Sequence, residues 1–110
     1  MNNKEIELML NLIDSYESGF VGEIPTIMGK FVEVAPEEYE IIERLIGIKM
    51  VKEYYMKDGT NYRQEKIFST QTFKSEDNRY GIGFDNNFVN DLKELVEMYR
   101  QAKILEEMYS

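Results

Sequence analysis

The sequence predicts an α+β protein in which N-terminal helices precede a small antiparallel three-stranded meander and a long helix closes the chain. Three observations carry the prediction: apolar residues at helical spacing within residues 3–17 and 36–46, an Asp58-Gly59 pair between two alternating runs, and an apolar stripe from Phe88 to Tyr109. At 110 residues and 43% hydrophobic, the chain has the size of one ordinary domain, so residues 1–110 are read as a single core.

In residues 3–17, Ile6, Met9, Leu10 and Ile13 recur at helical spacing, Leu8 and Leu12 widen the stripe, and Ser18-Gly19 ends the helix. Residues 20–34 carry mixed signals. Phe20-Val21-Gly22 reads as a short strand, Pro25 as the first position of a short helix through Phe31, and Val32-Glu33-Val34 alternates as a strand does. Pro36 then sits at a helix's first position, Glu37 and Glu38 lie in its first turn beside the positive end of the dipole, and Gly47 follows Ile41, Ile42, Leu45 and Ile46 as a stop.

Asp58-Gly59 is the favoured pair for a two-residue hairpin turn, and counting outward from it sets a register. That register places Lys52 opposite Glu65, Tyr54 opposite Arg63, Tyr55 opposite Tyr62 and Met50 opposite Ile67, all compatible pairs. The strand pattern continues through Thr70, Thr72 and Phe73, residues 74–78 turn, and Tyr80, Ile82 and Phe84 alternate with Gly81 and Gly83. The expected strands are therefore about 50–57, 61–73 and 79–85. The two glycines mark a strand face against which something packs closely, and no helix opens behind them at the spacing of a phosphate loop.

Asp85, Asn86 and Asn87 supply caps for a helix over about 88–108. Along it Leu95, Met98, Ala102, Leu105 and Tyr109 step by three and four, the spacing of a seam that pairs helices, and a homodimer through this seam is an expectation.

Composition removes most catalytic chemistry. The chain has no cysteine and no histidine, hence no thiol nucleophile, no disulfide, no imidazole base and no Cys/His zinc site, and it is read as a non-enzyme without cofactor or metal. Glu37, Glu38 and Glu40 could hold a hard cation through oxygen, but acids in a first turn are accounted for by the helix dipole. No run of apolar residues is long enough to span a bilayer, and the opening lacks a basic start followed by an apolar block, so a cytoplasmic location away from membranes is expected.

Net charge is -8 with unequal distribution. Residues 1–47 hold three basic and ten acidic side chains (-7), residues 48–75 six and three (+3), and residues 76–110 four and eight (-4). The only locally positive stretch is the hairpin region.

The segment Ile24-Pro-Thr-Ile-Met-Gly-Lys-Phe, followed by residues 36–51 from Pro36 to Val51, resembles the core of winged helix-turn-helix domains over roughly residues 5–68, through its apolar spacing. The resemblance implies a last helix running through a glycine into a two-stranded wing, and a terminal helix used for dimerisation. It departs from the family where DNA would be read. A helix in the major groove should expose Arg, Lys, Asn, Gln, Ser or Thr, whereas this one exposes Glu37, Glu38, Glu40 and Glu43, whose carboxylates repel phosphate.

The functional expectation is a small acidic regulator that binds another protein with a basic surface through Glu33, Glu37, Glu38, Glu40 and Glu43. Its concrete form would be a viral or mobile-element inhibitor of a host nucleic-acid-processing protein. The alternative is a dimeric winged-helix transcription regulator touching the DNA backbone through Lys52, Lys57, Arg63 and Lys66, with an assembly subunit pairing through the last helix as a third option. Lysines on a hairpin are otherwise accounted for as protection of a sheet edge.

Overall fold

A computed structural model describes residues 1–19 and 21–109, the side chain of Tyr109 excepted. The elements run α1 (Asn3–Glu17), β1 (Glu23–Thr26), β2 (Gly29–Val34), α2 (Pro36–Leu45), β3 (Lys49–Tyr55), β4 (Asn61–Ile67), β5 (Thr72–Lys74), β6 (Tyr80–Ile82) and α3 (Asn86–Tyr109). The chain is α+β with an N-terminal helix, antiparallel strands and a long C-terminal helix, as its periodicities predict.

Local chemistry explains the helix bounds. The Asn2 side chain accepts from the Glu5 N–H at 2.8 Å to cap α1, and Asp85 does the same for the Phe88 N–H at 2.7 Å at the start of α3. Helix α2 opens at Pro36 and stops before Gly47, whose φ of +92° is open to glycine at no steric penalty. Ile6, Met9, Leu12 and Ile13 of α1, Ile41, Ile42 and Leu45 of α2, and Phe88, Val89, Leu92, Leu95 and Val96 of α3 converge on one core with Met50, Phe68 and Ile82. Around it Tyr16 stacks on Phe84 at 4.3 Å, and Phe84 meets Phe88 edge-on at 4.6 Å.

The strands assemble differently from the expected meander. They form two sheets: a four-stranded one in the order β1-β2-β6-β5, and a two-stranded one of β3 and β4. Residues 25–31 are not a short helix but belong to the β1–β2 hairpin, in which Ile24 lies opposite Phe31 and Thr26 opposite Gly29. Pro25 fits because β1 is an edge strand, where a missing N–H leaves no ladder bond unmade. The expected strand at Phe20-Val21-Gly22 is not formed at Val21 and Gly22, which lead into β1, and Phe20 lies outside the described residues.

The third meander strand, β6, pairs with β2 and β5 instead of extending β3–β4. Phe68, with no exposed surface, anchors the passage between the sheets, and the expected strand over 61–73 breaks there into β4 and β5. Gly81 has the close neighbour that its sequence context suggests: a Cβ there would lie 2.8 Å from the Phe31 Cβ. Strand alternation puts Val34 and Ile82 on the helix side of the sheet, and Ile24, Phe31 and Phe73 on the other, where the two phenyl rings stack at 5.2 Å.

Candidate binding surfaces

The β3–β4 hairpin follows α2 directly and is closed at its base by hydrogen bonds from Gly47 N–H to Phe68 C=O and from Phe68 N–H to Ile48 C=O. Its register is one residue off the expected one. Met50 lies opposite Lys66, Lys52 opposite Gln64, Glu53 opposite Arg63 and Tyr54 opposite Tyr62. The reason is the loop. Met56 N–H bonds to Thr60 C=O, Gly59 N–H bonds to Met56 C=O, and Gly59 takes φ +86°, so the connection has three residues with glycine in the left-handed position. Asp58 accepts from the Thr60 N–H at 2.9 Å, and that bond holds its carboxyl below the usual aspartate range.

Beyond its base this hairpin stands in solvent on both faces. Met50 is its one buried residue, every residue of β4 is exposed, and Tyr54 stacks on Tyr62 at 5.6 Å in the open. Tyr55, at 74% exposure, and Met56 lie toward the tip.

Of the four basic side chains expected to touch a phosphate backbone, Arg63 and Lys66 are engaged within the chain, as is Lys49 beside them. Lys66 bonds to Asp91 at 2.6 Å, an interaction that raises its pKa; Arg63 reaches Glu65 at 3.0 Å and Glu53 at 3.8 Å; Lys49 reaches Glu65 at 2.8 Å. Lys52 and Lys57 make no ion pair among the described residues. Two unengaged lysines are a small electrostatic footprint beside the several phosphate contacts of a typical duplex-binding protein.

The five carboxylates of the expected acidic face do not form one face. Glu33 lies on β2 and is bound by Arg79, whose Nε and Nη2 donate to one carboxylate oxygen at 3.2 and 2.7 Å. Glu38 turns back to accept from the Ala35 N–H at 2.9 Å, capping α2. Glu37, Glu40 and Glu43 remain together on the exposed side of α2, opposite buried Tyr39, Ile42 and Leu45. Arg44, which lies beside Glu40 and Glu43, is drawn to Glu5 on α1 at 2.6 Å. Glu43 hydrogen-bonds the Tyr39 phenol, and that bond, then burial, raises the tyrosine's pKa.

On α3 the expected dimer seam divides. Leu95 has no exposed surface and belongs to the core, whereas Met98, Ala102 and Leu105 are exposed, and the side chain of Tyr109 lies outside the described residues. Sequence spacing alone cannot separate these, because the helix outlasts the body it packs against: 24 residues at about 1.5 Å each make about 36 Å, in a molecule whose shorter dimensions are 33 and 26 Å. Between α3 and the hairpin runs a groove of about 310 Å³ lined by Met50, Lys52, Gln64, Lys66, Glu94 and Met98, which the sequence reading did not anticipate. Its signal was present but divided between segments over 25 residues apart.

No group of His, Cys, Asp and Glu side chains among the described residues is arranged to hold a metal ion, and no helix among them is long and apolar enough to cross a membrane. No protein-family model matches this sequence, and comparison with curated proteins and with solved structures returns no match.

Proposed function

We propose that this protein is a small acidic, non-enzymatic regulator that works by binding another protein with a basic surface, through Glu37, Glu40 and Glu43 on the exposed face of α2. The observation that supports this reading is the concentration of three exposed carboxylates on one helix face, beside which Arg44 is held by Glu5. Such a face steers a positively charged partner and repels a phosphate backbone. Basic surfaces of this kind are what nucleic-acid-processing proteins present, so a viral or mobile-element inhibitor that occupies one in place of nucleic acid is the concrete form of the proposal.

The test compares the native chain with a triple charge reversal, Glu37→Lys, Glu40→Lys and Glu43→Lys, as baits for extracts of candidate hosts. A specific partner is expected to be basic, to be released by salt and by duplex DNA, and to be retained at least tenfold less by the reversed chain, as the loss of steering and several charge contacts implies. Retention that ignores the reversal would sink the proposal.

A further inference from the structure

The edge of a sheet carries unpaired backbone N–H and C=O groups, and the two sheets end differently. In the four-stranded sheet one edge strand, β1, carries Pro25 and the other, β5, has three residues. In the two-stranded sheet β3 sinks into the body at buried Met50 and half-buried Val51, whereas β4 is exposed along all seven residues and has β3 alone beside it. The ends of the ladder fix which groups of β4 are free. Phe68 N–H bonds to Ile48 C=O and Met56 N–H to Thr60 C=O, so between them Tyr62, Gln64 and Lys66 exchange backbone bonds with β3. Asn61, Arg63, Glu65 and Ile67 therefore turn their N–H and C=O outward. Helix α3 meets the hairpin on the face that carries Lys66, through Asp91, which leaves the direction in the plane of the sheet open.

We infer that the β4 edge pairs antiparallel with the β4 edge of a second copy of this chain, about a two-fold axis through Gln64, so that two hairpins make one four-stranded sheet. The residue order selects both the occupant and the register. Pairing centred on Gln64 joins outward groups to outward groups and sets Arg63 opposite the second copy's Glu65, Glu65 opposite its Arg63, and Tyr62 opposite its half-exposed Lys66. Moving the centre by one residue sets Arg63 opposite Arg63 or Glu65 opposite Glu65. Charges that elsewhere blunt an edge thus reject the neighbouring registers and admit this one. Arg63 already reaches Glu65 of its own chain at 3.0 Å, and in the pair each carboxylate lies between two guanidinium groups. Exposed charges of this kind contribute little energy and serve to choose the register; the backbone ladder supplies the attraction, and a hairpin that is marginal alone gains strands. This inference does not rest on the acidic face of α2.

Gln64→Cys tests the register in a chain that has no other cysteine. On the axis this residue faces its own copy as a non-hydrogen-bonded pair, with Cα atoms about 4.5 Å apart and within reach of a disulfide. Mild oxidation is expected to link it into a species of twice the 13.0 kDa chain mass, at least tenfold faster than it links Lys57→Cys at the equally exposed turn. Sedimentation equilibrium of the cysteine-free chain, loaded up to roughly 100 µM to populate a weak dimer, tests the charges. Arg63→Glu and Glu65→Arg each set like charges opposite one another twice per dimer, and each is expected to weaken association about tenfold. Both substitutions in one chain, or an equal mixture of the two single variants, are expected to restore it. Circular dichroism of the variants is expected to be unchanged, since both positions are exposed. A chain that stays monomeric throughout, a Gln64→Cys chain that links no faster than Lys57→Cys, or charge variants that the double substitution does not rescue overturns the inference. None of these outcomes depends on whether the α2 face retains a partner.

Discussion

Strands β2 and β4 are each the second strand of a hairpin, yet β2 places Phe31, Val32 and Val34 in the interior while β4 leaves all seven residues exposed. The difference lies in what the neighbouring edge meets. Strand β2 has β1 on one side and β6 on the other, with helices over one face and Phe73 over the opposite one. Strand β4 has only β3, and a lone two-stranded hairpin is marginal in water. It is held by its base at Met50 and Phe68, by the Lys66–Asp91 pair and by a tyrosine stack. One hairpin is thus part of the folding core, and the other is a projection whose aromatic surface is available to a partner.

Truncating one aromatic in each hairpin gives the largest contrast. Phe31→Ala removes a ring that is 5% exposed and stacked on Phe73, and is expected to lower global stability by about 3 kcal/mol in denaturant unfolding. Tyr62→Ala removes an exposed ring and is expected to cost less than about 1 kcal/mol, chiefly the lost stack on Tyr54. Equal losses would mean that the projecting hairpin unfolds as one unit with the body, and the comparison would fail.

A smaller effect isolates the close packing that ties β2 to β6. Gly81→Ala brings a methyl group to 2.8 Å from the Phe31 Cβ, an atom that only backbone movement can displace, with the Ile24 Cδ1 at 3.4 Å. The expected loss is about 1–3 kcal/mol, measured in the same way. Combining it with Phe31→Gly, which removes the colliding Cβ itself, should recover part of that loss relative to Phe31→Gly alone. Full additivity would show that the strain lies elsewhere.

The contrast also separates what was legible in the sequence from what was not. Both long helices and α2 were visible because each writes its own period of 3.6, and α1 and α2 also write their own stops, Ser18-Gly19 and Gly47. The β1–β2 hairpin was hidden. Its turn consists of Ile27 and Met28, apolar residues that seldom mark turns, and its Pro25 sits as well at a helix start as on an edge strand. Asp58-Gly59 announced the β3–β4 turn, but a left-handed glycine serves a three-residue loop as well as a two-residue one, and the extra residue moves every pair by one position. Pairing of β6 with β2, over 45 residues apart, has no local mark at all. At the candidate surfaces, charge counting found the acids of α2 but not that Arg79 and the Ala35 N–H engage Glu33 and Glu38, because those partners are fixed by the tertiary fold.

The smallest expected effect concerns the turn of the projecting hairpin. Asp58 donates nothing and accepts from the Thr60 N–H, and that bond favours its charged form, so its folded pKa lies below the unfolded one. The stabilisation is therefore present above the ordinary aspartate value and is lost as pH falls through the lower, folded value. Acid should loosen the loop before it touches the buried β2–β6 ladder, and amide exchange at Met56, Gly59 and Thr60 is expected to accelerate over that window while exchange at Val32 and Ile82 does not. Asp58→Asn retains an acceptor for the Thr60 N–H but has no proton to gain, so the turn should persist and its acid sensitivity should vanish. If the Asn variant loosens in acid as the native chain does, the Asp58 carboxyl is not the group that governs the loop and the prediction fails.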